Sequence, residues 1–188
     1  MTSLVIFDLD GVLVKAKEIH FNALNDALES ISPEFCISYS EHLNIYDGLK
    51  TRDKLKLLTK NKGLSVADHD LVWERKQAIT TKKVNEIEKD NNLIDLLKFL
   101  SDNNIKIACC SNSIRKSVYS ILSQLGLINF FDYILSNEDV KTSKPYPEMY
   151  WMAMIFFAKN PEETLIVEDS PHGLLAAQRS GANILRVK

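Results

Sequence analysis

The apolar run Val5-Ile6-Phe7-Asp8-Leu9-Asp10-Gly11-Val12 carries two aspartates and a glycine at the end of a strand-like segment. The carboxyl end of a buried strand is where a parallel α/β sheet carries its chemistry. Asp8 and Asp10 are two residues apart and face the same side of a continuing strand, while Gly11 permits a tight turn beside them. One carboxylate can attack while the other moves a proton. For this segment alone, a cation-binding turn and an ordinary strand exit are the alternatives.

Three further apolar runs are each followed by polar residues. Residues 105–110 precede Ser111-Asn112-Ser113, residues 132–135 precede Ser143-Lys144-Pro145, and residues 164–167 precede Glu168-Asp169-Ser170. The carboxyl ends of parallel strands meet at one edge of a sheet. The order of these segments therefore predicts a single site built from four parts of the chain.

The composition is that of a globular chain with one sizeable core. Its 188 residues are 45% hydrophobic and 26% charged, with a formal net charge of −2. The hydrophobic fraction excludes a disordered chain. This charge predicts no affinity for nucleic acid or for an anionic membrane. No apolar stretch approaches membrane-spanning length, and we expect a cytoplasmic protein. The three cysteines, including the adjacent Cys109 and Cys110, predict neither a disulfide framework nor a metal site.

Helical periodicity fills the gap between the first strand and the next convincing strand at Ile105. We therefore expect a helical cap over residues 15–89, inserted into a catalytic core made of residues 1–14 and 90–188. From Leu93 onward, strands and helices alternate, which is typical of a parallel sheet with right-handed crossovers. The predicted helices span 93–100, 114–125, 148–158 and 173–179, and the predicted strands span 105–110, 133–135, 165–167 and 184–187. The fold class is α/β, a Rossmann-like parallel sheet core with an inserted small α-helical cap domain.

In this order, the four polar segments resemble the motifs of the haloacid dehalogenase superfamily of phosphotransferases. Three stretches are similar to the subgroup that contains β-phosphoglucomutase and many small sugar-phosphate phosphatases: Glu18-Ile19-His20-Phe21, Lys144-Pro145-Tyr146-Pro147 and Glu168-Asp169-Ser170-Pro171-His172-Gly173. The resemblance covers nearly the whole chain. It implies the spatial strand order 5-4-1-2-3, which periodicity alone does not give.

The resemblance also implies a role for each segment. Asp8 matches the nucleophile that becomes an aspartyl phosphate, and Asp10 matches the general acid/base. Ser111 and the main-chain N–H of Asn112 match donors to the phosphoryl group, and Lys144 matches the cation that neutralises its oxygens.

Several of these residues also have a purely local interpretation. Asp10 suits a turn ahead of Gly11, Ser111 or Ser113 suits a helix cap, and Lys144 suits a solvated loop. Ser170 can cap the last helix without weakening a metal role for its neighbour Asp169.

A cation is expected at this edge of the sheet, because two carboxylates would otherwise repel a phosphate dianion. Mg²⁺ prefers octahedral oxygen coordination. By resemblance, its ligands are the carboxylates of Asp8 and Asp169 and the main-chain carbonyl of Asp10. Glu168 is placed in the outer shell, where it acts through water.

The cap is expected to supply specificity by closing over the site. His20 matches a histidine linked to proton transfer and hinge behaviour in β-phosphoglucomutase, and a helix-surface histidine is the alternative. Gly48, Thr51 and Arg52 fall in the substrate-facing loop, although Arg52 stands one position away from the mutase spacing.

Of the other basic residues in the cap, one is expected to contact the substrate and several are expected to face solvent. Within the pair Arg75-Lys76, Lys76 is the expected substrate contact, and a solvated helix face is the alternative. The lysines at positions 54, 56, 60 and 62 are expected to face solvent.

The chain departs from the family pattern in two places. Lys15-Ala16 stands where relatives usually carry an acidic residue followed by Ser or Thr, which puts hinge geometry and substrate choice in question. The sequence ends at Lys188, where relatives commonly continue through another strand and helix, so a less protected sheet edge is expected. We expect a monomer, with a dimer as the alternative.

The resulting prediction is a Mg²⁺-dependent phosphatase that hydrolyses a small phosphorylated metabolite, such as a sugar phosphate, through an aspartyl phosphate. A phosphomutase of the β-phosphoglucomutase type is the alternative, favoured by His20 and Lys76 and disfavoured by the position of Arg52. A non-catalytic phosphate-binding regulatory module is a third hypothesis. The substrate itself depends on the shape of the cap pocket, which the sequence does not provide.

Overall fold

The computed structural model of the protein describes residues 1–84 and 86–187, and its centre is a five-stranded parallel sheet. The strands are β1 (Leu4–Phe7), β2 (Lys106–Cys110), β3 (Tyr133–Leu135), β4 (Thr164–Glu168) and β5 (Asn183–Arg186). Their spatial order is β3-β2-β1-β4-β5. This is the predicted order 5-4-1-2-3 seen from the opposite edge, so the predicted fold is confirmed.

Strand β1 lies at the centre because all four of its side chains are apolar and buried. Alternate residues point to opposite faces of a sheet. Leu4 and Ile6 accordingly pack in one apolar cluster, and Val5 and Phe7 pack in the other. In the register, Phe7 faces Cys109 of β2 and Val167 of β4. The segments that follow these three strands therefore start at the same level.

Four helices cover the two faces of the sheet: α5 (Asn91–Asp102), α6 (Arg115–Gln124), α7 (Glu148–Phe156) and α8 (Pro171–Ser180). The first two contribute to the cluster around Val5, and the last two contribute to the cluster around Leu4. Each differs from its predicted range by at most two residues at either end.

The insertion between β1 and β2 is helical. Its helices are α1 (Lys17–Glu29), α2 (Tyr39–Glu41), which continues into a π-helical turn at His42–Tyr46, α3 (Thr51–Lys62) and α4 (His69–Val84). These helices enclose a third apolar cluster that includes Leu24, Leu55 and Val72. The separate cluster supports the proposed cap. The boundary at residues 15 and 89 remains a prediction, since Ala16 and Val84 pack within the cluster of the sheet core.

No helix among residues 1–84 and 86–187 has the length and apolar character needed to cross a membrane. Cys109 and Cys110 lie fully buried in β2. Burial raises the pKa of Cys110 to about 12, which keeps this thiol protonated.

Candidate active site

A cavity of about 360 Å³ lies where the carboxyl ends of the central strands face the helical insertion. Asp8 and Asp10 line it from the segment after β1, Ser111 lines it from the segment after β2, and Lys144 lines it from the loop after β3. Ser170 reaches it from the start of α8. The four polar segments picked out in the sequence therefore converge at one edge of the sheet.

Lys144 joins two carboxylates at the floor of this cavity. Its Nζ donates to Asp8 Oδ1 at 2.6 Å and to Glu168 Oε1 at 2.5 Å. The lysine is only 4% exposed, so the solvated-loop interpretation is wrong. Burial by itself would lower the pKa of Lys144, but the two carboxylates outweigh it and raise that pKa well above its ordinary value.

The nucleophile candidate Asp8 is 6% exposed. Burial and the nearby Glu168 raise its pKa, and Lys144 opposes this effect. A charged Asp8 therefore depends on cations at the site: the ammonium of Lys144 and any metal ion bound beside it.

Asp10 is held between two partners. His20 Nε2 lies 3.0 Å from Asp10 Oδ1, and Ser113 Oγ donates to Asp10 Oδ2 at 2.8 Å. Although burial opposes it, His20 and Ser113 lower the pKa of Asp10 to about 2. With these contacts intact, Asp10 is ionised at neutral pH.

The helix-cap interpretation of the serines is wrong. The residue before α6 is Ile114, which makes no side-chain cap, and the first N–H of the helix, that of Arg115, donates to Glu138 Oε2 at 2.6 Å. Ser113 is turned towards Asp10, and Ser111 Oγ accepts a hydrogen bond from Ser113 N at 3.0 Å. The expectation for Ser170 is confirmed, because its Oγ accepts from Gly173 N at 3.1 Å at the start of α8.

The side chain of Asn112 connects loops. It donates to the main-chain oxygens of Gly48 at 2.6 Å and Lys144 at 3.0 Å, and its Oδ1 accepts from Lys144 N at 3.1 Å. His172 Nδ1 also lies 3.0 Å from the main-chain oxygen of Asp47. The loop that carries Asp47 and Gly48 is thus held against the sheet core, and the cavity is covered.

Three carboxylates could hold a metal ion. Asp8, Glu168 and Asp169 each offer an oxygen, and these oxygens lie within 4.8 Å of one another. Asp169 Oδ1 is buried without a hydrogen-bond partner among the described residues. An unsatisfied buried carboxylate oxygen in such a cluster fits a hard divalent cation such as Mg²⁺.

Glu168 fits the predicted outer position better than direct coordination. Its Oε1 accepts from Lys144 and from the Tyr150 hydroxyl, and its Oε2 accepts from the backbone N–H groups of Asp169 and Ser170. A Cβ on Gly173 would lie 1.8 Å from Glu168 Oε1, so only glycine fits there. These contacts fix the carboxylate of Glu168.

Sequence analysis missed Lys17, the first residue of α1. Its Nζ lies 2.5 Å from Asp169 Oδ2 and 3.3 Å from Asp47 Oδ2. The pair Lys15-Ala16 differs from the family pattern, and Lys17 is the residue that follows this pair directly.

The predicted cap residues divide into two groups. His20 is buried, and Lys76 Nζ lies 3.2 Å from His20 Nδ1, which extends the contact of His20 with Asp10. The structure therefore rejects the surface interpretation of both residues. Burial and Lys54 lower the pKa of Lys76 to about 7. Arg75, in contrast, is half-buried and hydrogen-bonds Ser30.

Arg52 lines the cavity but is engaged within the insertion. Its Nη1 lies 2.5 Å from Asp70 Oδ1, and its guanidinium lies 5.0 Å from the ring centre of Trp73. Thr51 and Gly48 also line the cavity. Arg52 thus lines the cavity while it is paired with residues of the insertion.

The prediction that four lysines face solvent is wrong for Lys54, which is 8% exposed and lines the cavity. Lys56 and Lys60 are exposed as expected, although Lys56 also lines the cavity, while Lys62 is half-buried and donates to Cys36 O. The hydrophilic sequence of α3 hid this distinction, because a lysine on a helix normally reaches water.

His42 is a further residue that sequence analysis missed. It lines the cavity, and both of its ring nitrogens lack a hydrogen-bond partner among the described residues. Burial and the nearby Lys54 lower the pKa of His42 to about 4, so its imidazole is neutral at physiological pH.

Comparison with known proteins places this geometry in a family. Residues 5–187 match the model of haloacid dehalogenase-like hydrolases. The chain is 28% identical over 179 residues to a phosphorylated carbohydrates phosphatase of Thermotoga maritima, covering 94% of this chain and 81% of that protein. It is 27% identical over 191 residues to pyrophosphatase PpaX of Oceanobacillus iheyensis, covering 97% and 82%.

The fold is also similar to that of a solved structure. The crystal structure of β-phosphoglucomutase from Clostridium difficile superposes with a TM-score of 0.87 at 25% identity, covering all of this chain and 85% of that one. The chain belongs to the haloacid dehalogenase-like hydrolase family. It is an enzyme of the phosphoric monoester hydrolase or phosphomutase type, which acts on phosphorylated compounds.

Proposed function

We propose that the protein is a Mg²⁺-dependent phosphatase that hydrolyses a small phosphorylated metabolite, such as a sugar phosphate, through an aspartyl phosphate at Asp8. The observation that carries the proposal is the contact of Lys144 with Asp8, 2.6 Å long and buried, at the edge where Asp10 also lies. A lysine there holds the nucleophile and neutralises the phosphoryl oxygens.

The proposed reaction has two steps. In the first, an oxygen of Asp8 attacks the phosphorus, the bond from phosphorus to the leaving oxygen breaks, and the carboxyl group of Asp10 protonates that oxygen. In the second, the carboxylate of Asp10 removes a proton from a water molecule that attacks the phosphorus. Phosphate leaves and Asp8 is restored.

The structure supports the base step most directly, because His20 and Ser113 keep Asp10 ionised. For the acid step, Asp10 has to carry a proton. A phosphate dianion entering beside Asp10 makes its negative charge less favourable and so raises its pKa. Ser111 and the main-chain N–H of Asn112 are proposed to orient the phosphoryl group.

Mg²⁺ is proposed to be held by the carboxylates of Asp8 and Asp169 and the main-chain carbonyl of Asp10, with Glu168 outside this set. When bound, the ion neutralises negative charge on the phosphoryl group. The unpartnered Asp169 Oδ1 supports this assignment.

The proposed cap, residues 15–89, supplies the part of the cavity that receives the leaving group. Lys54, Lys76 and His42 line it alongside Gly48. Buried cationic and polar groups favour a substrate with hydroxyl or anionic groups remote from the reacting phosphate. We propose a cytoplasmic enzyme that acts as a monomer, without nucleic-acid or membrane partners.

A phosphomutase is the second candidate. The continuous contact from Asp10 through His20 to Lys76 favours it, as does the likeness to a β-phosphoglucomutase. In a mutase, the aspartyl phosphate is passed to a second hydroxyl of the substrate instead of to water.

Incubation of the purified protein with Mg²⁺ and a panel of phosphorylated sugars and other small metabolites tests both candidates. Phosphate release and sugar isomerisation are measured in parallel, with and without a sugar bisphosphate, and Asp8→Asn is the control. Asp8-dependent release supports the phosphatase, whereas isomerisation that requires the bisphosphate supports the mutase. Activity that persists in Asp8→Asn would refute the mechanism, and silence in both assays would favour the regulatory module.

A further inference from the structure

Lys17 places a positive charge directly on a proposed metal ligand. Its ammonium lies 2.5 Å from Asp169 Oδ2, and the side chain of Asp169 is only 3% exposed. The same ammonium lies 3.3 Å from Asp47 Oδ2. One lysine at the start of the first cap helix thus pairs with a carboxylate of the sheet core and with a carboxylate of the cap loop.

The charges at this edge divide between two lysines. Lys144 neutralises Asp8 and Glu168, and Lys17 neutralises Asp169. Burial of Lys17 favours its neutral form, but Asp169 and Asp47 outweigh it and raise its pKa above the ordinary value. Lys17 is therefore a full positive charge at physiological pH.

The approach of Lys17 is made possible by the turn at Gly11. A Cβ on Gly11 would lie 1.9 Å from Asp169 Oδ2 and 2.9 Å from Lys17 Cε. The lysine stem and the carboxylate meet in the space that this glycine leaves open, which keeps the ammonium next to the oxygens that a cation would use.

We propose that Lys17 is a built-in competitor for the divalent cation: its ammonium neutralises Asp169 while the metal is absent, and the metal has to displace it or bind beside it. Two cations that share one carboxylate repel each other, and the repulsion is strong where water is scarce. Lys17 therefore lowers the affinity of the site for Mg²⁺. The inference rests on the proposed Mg²⁺ site.

The contact of Lys17 with Asp47 links the proposed metal site to the cap loop. When the metal displaces the ammonium from Asp169, the link through Lys17 between Asp169 and the loop at Asp47 is broken as well. Metal binding and the attachment of this loop are thus coupled through one side chain.

Isothermal titration calorimetry with Mg²⁺ alone, in the absence of substrate, tests the competition. Lys17→Met removes the charge and keeps most of the stem, and Lys15→Met is the matched control, because Lys15 is an exposed lysine two residues away. We expect Lys17→Met to bind Mg²⁺ roughly 10- to 100-fold more tightly than the wild type, as removal of a close like charge requires. Lys15→Met should bind as the wild type does.

Two further variants separate charge from structure. Lys17→Arg keeps a cation at the position and is expected to stay close to wild-type affinity. Thermal unfolding without Mg²⁺ should show a lower midpoint for Lys17→Met, which leaves Asp169 unpaired, and addition of Mg²⁺ should raise that midpoint more than it does in the wild type.

The outcomes distinguish the competition from the metal site itself. Asp169→Asn should abolish saturable Mg²⁺ binding. If it does, and Lys17→Met binds Mg²⁺ no more tightly than the wild type, the competition is refuted while the site stands. If Mg²⁺ binds neither the wild type nor any variant, or binds Asp169→Asn as tightly as the wild type, the proposed metal site is refuted. The proposed role of Lys17 is then refuted as well.

Discussion

The cavity has two walls that differ in how their polar groups are satisfied. On the core wall, formed by the segments after β1, β2, β3 and β4, Lys144 contacts Asp8 and Glu168, and Ser113 contacts Asp10. On the cap wall, formed by the helical insertion, both ring nitrogens of His42 lack a hydrogen-bond partner among the described residues. Asp8, Asp10 and Lys144, which are proposed for chemistry, are thus held in place by the protein, whereas the ring nitrogens of His42 on the cap wall are left for a ligand.

This contrast predicts that changes on the core wall lower kcat and that changes on the cap wall raise KM. The largest effect is expected at Asp8. Asp8→Asn removes the nucleophile, so phosphate release should fall by roughly four powers of ten or more. The near-isosteric amide should spare the fold, which circular dichroism and thermal unfolding check. A variant that retains wild-type turnover would refute the covalent mechanism.

Asp10→Asn is expected to have the second largest effect. Loss of the general acid should slow turnover by roughly 10²- to 10⁴-fold on sugar phosphates, whose alkoxide leaving groups need a proton. On 4-nitrophenyl phosphate, whose leaving group is stable without a proton, the loss should be much smaller. Equal losses on both substrates would show that Asp10 acts by another route.

Lys54→Met tests the cap wall. Because the buried Lys54 lines the cavity, loss of its ammonium should raise KM for a phosphorylated metabolite by roughly tenfold and change kcat much less. Lys60→Met is the matched control, since Lys60 is exposed on the same helix and is not among the residues that line the cavity. Indistinguishable kinetics in the two variants would place Lys54 outside the binding site.

The smallest expected effect is a pH dependence carried by Lys76. With its pKa at about 7, Lys76 is charged below pH 7 and loses its charge as the pH rises through that value. KM for a substrate that reaches the cap wall with an anionic group should therefore increase above pH 7. In Lys76→Met, KM should be high throughout and lose this trend. A wild-type slope that survives in the variant would assign the titration to another group.

The sheet and the core wall could be predicted from sequence because they depend on order along the chain. Apolar runs followed by polar residues identify strands and their carboxyl ends, and parallel packing then brings those ends to one edge. Asp8, Ser111, Lys144 and Asp169 were found in this way, although the strand order itself came from the family resemblance.

The cap wall could not be predicted with the same accuracy, because it depends on how helices close over another part of the molecule. Lys54 and Lys60 are both lysines on α3, yet Lys54 is buried at the cavity and Lys60 is exposed. Lys17 was missed because a long side chain can reach a partner such as Asp169 that is distant in sequence. No local pattern encodes such a contact.

Gly173 shows that the site is fixed by space as well as by charge. The position where a methyl group would stand is already filled by the carboxylate of Glu168, at 1.8 Å. Alanine, which differs from glycine by that methyl group alone, would push Glu168 away from Lys144 and so disturb the lysine that holds Asp8. An uncharged substitution that adds one methyl group away from the reacting atoms would thus disturb Asp8 through the side chains of Glu168 and Lys144.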